Sequence, residues 1–461
     1  MKPTTLFTAV LFSLSMTTAI PAVAEELINR PQQVRPLPGQ LDSVLMVNDN
    51  NPELIKDEGI LLSTFPGSLE AGLNAPLSGR FDLFSHHVYA GSEESLDSTL
   101  WIAVLAAPLG DEGEDLHLLG GSTALSQATK PGQTAAPFLP LPPLIRESTD
   151  VIAAGPGSRV AGDLLSGRRA KELSKDRWTL KPSEPTVLMA LPIPVQGLDP
   201  LLNGRNLQLR FQSSGPVAIA TIAAIGSTDR PPATERWISL LRSGKLSSKE
   251  HQPTPRGAKG KMIYSRVSGV QIGSTWRSRL SDSSSDVLEA PREPVSWPIS
   301  SLERGTLGTD QIQTAELDAF YPGTAWAAHG NYGVSYDLTL PLKNTQNSSI
   351  CLELALESPL KSDRTKDSLS FRPSLTGPVM FRGPIEVSGL DDPQGQPLGR
   401  QKLHLVLRQG QQGPALGQLR LAPGQTRNVR VRFIYPADAT PPQVLTIRPV
   451  KQSRATSVQS L

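Results

Sequence analysis

The chain has 461 residues, of which 38% are hydrophobic and 5% aromatic, and its 45 Lys+Arg against 43 Asp+Glu leave a net charge of +2. At ~150 residues per domain, this length allows two or three domains with sizeable cores. The composition argues against a wholly disordered chain, and the charge balance gives no sign of a general binder of nucleic acid or membrane surfaces. The 38 glycines and 42 prolines make up about 17% of the chain against a usual ~12%, so many turns and few long helices are expected.

The first 24 residues read as an export signal. Lys2 gives a positive start, Leu6 to Leu14 a short apolar run, and Ala22-Val23-Ala24 an A-x-A cleavage site before Glu25. No cysteine follows the cleavage site directly, which argues against a lipid anchor. No later segment approaches ~18 apolar residues, so no membrane span is expected after cleavage. The expected product is exported, to the periplasm or the extracellular space. Cys351 is the single cysteine, so no intramolecular disulfide can form.

Residues 25–75 read as an extended N-terminal segment, and residues 76–230 as a first β-sandwich module. In STLWIAVLAAPLG, DLHLLGGSTAL and LQLRFQSS, apolar residues recur with period two; Leu207, Leu209 and Phe211 oppose Gln208, Arg210 and Gln212. Residues 231–323 read as a connecting region with one short helix, ATERWISLLRSG, whose Trp237 is expected to dock on a module. Its later strands have no evident partners and can complete the second module instead of forming a third domain. Residues 324–450 read as a second module, with Leu403, Leu405 and Leu407, then Val429, Val431 and Phe433, alternating against polar neighbours. Residues 451–461 read as a disordered tail.

The strand order repeats. WTLKPSEPTVLMALPIP in the first module matches LRLAPGQTRNVRVRFIYP in the second, and VAIATIAAI then matches QVLTIRPV. A Pro-centred turn of this kind marks the passage from one sheet of a sandwich to the other. The expected fold is therefore all-β: two immunoglobulin-like sandwiches around an irregular connection. Independent assembly of similar strands is the competing account.

Catalytic signatures are missing: no phosphate-binding loop, no dinucleotide fingerprint, no H-E-x-x-H and no G-x-S-x-G. Ser358-Pro359-Leu360-Lys361 spells S-x-x-K, but it follows a strand and has no S-D-N or K-T-G partner. Cys351 shares a strand face with Glu353 and Glu357, which opposes thiolate formation. His86 and His87 are neighbours on a strand and face opposite ways, while His117, His251 and His404 are scattered. No cofactor is expected. Asp111, Glu112, Glu114 and Asp115 gather on a turn where carboxylates can surround Ca²⁺, though without the spacing of a calcium loop; a solvated hairpin tip is the alternative. The basic stretch Arg242 to Lys261 is a solvated loop or a contact for anionic envelope polymer. In AWAAHGNYGVSY, the residues Trp326, His329, Asn331 and Tyr332 combine aromatic faces, an imidazole and an amide around two glycines. That set suits a sugar ring. A loop that only packs inward is the alternative.

The segments from Val34 to Pro66, GRFDLFSHHV, AGPGSRVAGDLLSGRR, ERGTLGTDQIQ and AHGNYGVSYDLTLPLKN resemble a cyanobacterial family of exported proteins known only as a domain of unknown function. The resemblance spans nearly the whole mature chain. It implies an envelope or extracellular setting and transfers no catalytic residue. Two functions follow as expectations: a non-enzymatic binding or structural scaffold, with envelope polysaccharide or peptidoglycan as partner, or else a periplasmic carbohydrate-binding protein or carbohydrate-active enzyme.

Overall fold

Period-two alternation becomes one-sided burial in the computed structural model, which describes residues 26–450 except 68–69, 148–151, 153, 183, 260–261, 264 and 365–366. The expected export signal and C-terminal tail lie outside the described residues. Leu207, Leu209 and Phe211 are at most 2% exposed, and Leu403, Leu405 and Leu407 are fully buried. The described residues form 26 strands and two α-helices, so the protein is all-β.

The strands make five sheets: two facing pairs and a two-stranded ribbon of Ile28–Pro31 and Ser368–Phe371. The first pair holds a seven-stranded sheet in the spatial order Arg177–Leu180, Glu114–Leu125, Leu202–Ser213, Arg80–Ala90, Leu45–Leu54, Val267–Ile272 and Leu317–Phe320. Its mate has four strands: Thr186–Ile193, Ser98–Pro108, Val217–Ser227 and Gly59–Ser63. Leu83, Trp178 and Phe211 from one sheet share a core with Val104 and Ile219 from the other.

In the second pair, the larger sheet runs Gln40–Leu41, Thr275–Arg279, Ser335–Lys343, Thr426–Ile434, Val379–Ser388, Arg400–Arg408 and Leu144–Glu147, with Leu288–Glu289 added beside Ser335–Lys343. Its mate runs Gln33–Val34, Val295–Ile299, Gln443–Pro449, Ile350–Glu357 and Ala415–Leu421. Leu340, Val431 and Leu405 meet Trp297, Leu354 and Leu445 in one core.

The recurrence seen in the sequence is a recurrence of pairing. Glu114–Leu125 lies between Arg177–Leu180 and Leu202–Ser213, just as Ile350–Glu357 lies between Ala415–Leu421 and Gln443–Pro449. The next two strands also correspond: Arg80–Ala90 followed by a parallel neighbour, and Val295–Ile299 followed by a parallel neighbour. Both Pro-containing turns pass the chain from one sheet of a pair to the other. One alignment changes. Gln443–Pro449 occupies the place of Leu202–Ser213, not that of VAIATIAAI, because its partner is the strand equivalent to Glu114–Leu125.

Strands from residues 231–323 are shared between the pairs, Val267–Ile272 and Leu317–Phe320 in the first, Thr275–Arg279 and Val295–Ile299 in the second. Helix α2 (Thr234–Ser243) is the one expected from the sequence, and Gly244 ends it in the left-handed region at φ 62°. Trp237 docks on the outer side of the four-stranded sheet with Trp101 and Ile222.

Helix α1 (Pro156–Leu165) is an addition to the single helix expected. Pro156 opens it, as proline can where the first N–H groups have no helical partner. Its Val160, Ala161 and Leu164 pack on Ala124 of the first pair and Ile434 of the second. At its N-terminus the Ser158 N–H donates to Asp438 Oδ2 at 2.5 Å. Gly155 sits at φ 96°, where a Cβ would fall 2.6 Å from that carboxylate. Burial pushes Asp438 up to about 7, against the lowering effect of the Ser158 and Gly157 N–H groups and Arg382. No helix among the described residues is long and apolar enough to cross a membrane.

Candidate functional site

The segment Trp326 to Tyr336 has two ends with different surroundings. At the first, Leu317 N–H donates to the Trp326 carbonyl and Ala328 N–H to that of Ala315, pinning the chain along residues 315–317. This fixes Trp326 and His329 on a pocket of about 320 Å³, lined also by Ile263, Leu302, Ile312 and Lys361. Ile263 and Ile312 are 47% and 48% exposed, so the pocket has an apolar rim. The Arg256 guanidinium lies 5.0 Å from the Trp326 ring centroid and pairs with Glu316, which holds the indole in place.

Burial brings His329 down to about 4, so its imidazole is neutral near pH 7. Two carboxylates border the pocket. Asp363 Oδ1 accepts the N–H groups of Gly305 and Thr306, and Glu303 Oε1 accepts that of Gly257. Both acids therefore shape loops.

The second end turns away from the pocket into protein. Asn331 is 1% exposed; its Nδ2 donates to the Gln313 carbonyl and to Tyr336 Oη at 2.7 Å. Tyr332 stacks on Phe84 of the first sheet pair at 6.3 Å, and its hydroxyl donates to the Ala439 carbonyl. Gly333, at φ 78°, allows this approach, since a Cβ there would lie 2.8 Å from the Phe84 ring. Tyr336 is buried in the second core, 5.0 Å from Phe433. Trp326 and His329 thus share a pocket; Asn331 and Tyr332 do not line it.

Asp111 and Glu112 are exposed on the turn before Glu114–Leu125, while Glu114 and Asp115 accept from Ser214 and Thr179. Among the described residues, no group of three or more His, Cys, Asp or Glu is placed to hold a metal ion. His86 and His87 do face opposite ways. His87 Nε2 lies 2.8 Å from Asp49 Oδ2 inside the first sheet pair, and burial lowers His86 to about 4 on the other side. Cys351 is half-buried, and burial pushes its thiol up.

Ile263, Ile312 and Lys361 carry no signal in the sequence that would have joined them to Trp326. They come from three separate loops.

A family model described as a protein of unknown function, DUF3370, matches residues 32–449, and the chain belongs to that family. No curated protein matches it in sequence.

Proposed function

We propose that the protein is an exported envelope or extracellular-matrix component that works by binding, and that its pocket at Trp326 and His329 takes a sugar ring of an envelope polysaccharide or of peptidoglycan. The observation that carries this reading is the pocket itself. Its size falls in the ~300–1,000 Å³ range of small-molecule sites. A partly exposed indole, two isoleucines and a neutral imidazole match the apolar faces and hydroxyl edges of a sugar. The bordering acids favour binding over glycoside cleavage, since Asp363 and Glu303 are committed to backbone N–H groups. In this reading the two sheet pairs act as immunoglobulin-like modules centred on residues 76–230 and 324–450, a rigid scaffold in the cyanobacterial periplasm or outside the cell.

The test is a pull-down of the mature protein on insoluble envelope polysaccharide and on peptidoglycan, with Trp326→Ala beside it. Retention lost in the variant supports the reading. Equal retention of both proteins, or release of reducing sugar from the matrix, overturns it.

A further inference from the structure

We infer that the cleft where the two sheet pairs meet is an anion site, and that it anchors the acidic groups of a polyanionic polysaccharide. Arg210 from Leu202–Ser213, Arg277 from Thr275–Arg279 and Arg432 from Thr426–Ile434 line one cleft of about 140 Å³, together with Thr275 and Ser335. The three side chains come from both sheet pairs, so the site exists only where they join.

Its charges are incompletely balanced. Asp337 is held in a two-pronged contact by Arg430, at 2.7 and 2.6 Å. Glu386 takes Arg432 at 2.9 Å and lies 3.7 Å from Arg400. Asp82 pairs with Arg80 and is 3.9 Å from Arg210. Asp42 accepts the Ser274 N–H. Arg210 donates one nitrogen to Ser335 Oγ at 2.8 Å, but its Nε is buried with no hydrogen-bond partner. The Arg277 guanidinium is exposed and, among the described residues, makes no hydrogen bond or ion pair. Burial disfavours charge on Arg210, and Asp82 and Asp42 offset only in part the combined effect of burial, Arg80 and Arg432. An anion in the cleft would relieve that crowding.

The cleft opens into a groove of about 580 Å³ that shares Arg277 and Asp337 with it and continues past Arg279, Ser388, Asn428 and Arg430. An open groove suits a chain better than a free ion. Its remaining lining of hydroxyl and amide side chains suits a polymer that carries hydroxyls between its acidic groups. It contains no aromatic residue on which bases could stack, and no apolar residue to enter a bilayer. The inference is independent of the Trp326 pocket.

The test is affinity electrophoresis of the mature protein in gels containing dextran sulfate, polygalacturonate or neutral dextran, with oligo-dT and anionic phosphatidylglycerol vesicles as competitors. Retardation by at least one charged polysaccharide and not by neutral dextran is expected. The stronger of the two identifies sulfate or carboxylate as the preferred group. Arg277→Ala should weaken that retardation about tenfold and Arg277→Glu further, because charge-assisted contacts are the strong ones. Neither change should move the melting temperature, and Trp326→Ala should leave the retardation unchanged. Retardation unaltered in both Arg277 variants, equal retardation by neutral dextran, or full displacement by oligo-dT or vesicles at matched charge would overturn the inference.

Discussion

The two sheet pairs share a five-strand frame but place their most deeply buried charge on opposite sides of it. In the first, a charged cluster lies between the sheets. Asp49, Ser85, His87 and Arg205 are all at most 3% exposed, on the same strand faces as the apolar residues of the core. Asp49 Oδ1, His87 Nδ1 and Thr221 Oγ1 have no hydrogen-bond partner there. In the second pair, the space between the sheets is filled by Leu, Val, Ile, Phe and Trp, with Gln443 and Tyr435 bonded to each other at one end. Its most deeply buried acid, Glu357, faces outward, beneath the ribbon of Ile28–Pro31 and Ser368–Phe371. It accepts from Arg30, Arg448 and Thr446 at 2.5 to 2.9 Å. One frame therefore accepts either arrangement. What differs is how completely the charge is satisfied, and that sets what a substitution costs.

The largest effect is expected at Asp49. Asp49→Ala removes the partner of a histidine that has no route to water, and a loss of about 3–5 kcal/mol is expected in urea unfolding. Replacing Asp49 and His87 together by leucine should recover most of that loss, since two well-packed apolar residues leave no orphaned group. A double variant as unstable as the sum of the singles would mean that the pair is not coupled. Glu357→Gln should cost less, about 1–3 kcal/mol. Its arginines, Arg30 and Arg448, are 15% and 18% exposed and can turn to solvent. If Glu357→Gln proves costlier than Asp49→Ala, the comparison fails.

The junction between the pairs is expected to respond to pH through Asp438. Its pKa is raised by burial to about 7 in the folded state, against an ordinary aspartate value of 3.8. The folded state therefore holds its proton more tightly than the unfolded chain does. Stability from this group is fully present below about pH 4 and is lost as pH rises through about 7. Asp438→Asn keeps an acceptor for the Ser158 N–H but cannot ionise. Urea midpoints measured from pH 5 to 8 should fall in the unaltered protein by an amount worth up to a few kcal/mol, and more shallowly in the variant. Parallel curves would show that Asp438 does not titrate in this range.

Legibility in the sequence followed the range of the interactions. Strands such as Leu202–Ser213 and Thr426–Ile434 were readable because alternation is local, and so was α2, with prolines before it and Gly244 after it. Helix α1 has no such local signal: its apolar stripe is short and lies in a glycine-rich stretch, and its packing comes from Ala124 and Ile434, far away in the chain. The placement of Leu144–Glu147 beside Arg400–Arg408 likewise has no local signal. The candidate site divided for the same reason. Nothing near Tyr332 in sequence announces Phe84 as its neighbour.

That division gives the smallest expected effect and the sharpest contrast. Trp326 and Tyr336 are ten positions apart and both aromatic, yet one lines a pocket and the other is 1% exposed in a core. Tyr336→Ala should destabilise by about 3–5 kcal/mol, because it empties a packed site between Phe433 and Trp276 and removes the partner of Asn331. Trp326→Ala should change stability by only about 0.5 kcal/mol, the scale of surface substitutions. What the indole gives up there is its contact with Arg256, and that guanidinium keeps its pairing with Glu316. Retention on polysaccharide should follow the opposite order, being lost in Trp326→Ala and kept in any Tyr336 variant that still folds, such as Tyr336→Phe. Thermal unfolding and retention measured on the same preparations separate the two roles. Should Trp326→Ala lower the melting temperature as far as Tyr336→Ala does, the tryptophan is part of the core and the pocket loses its main binding surface.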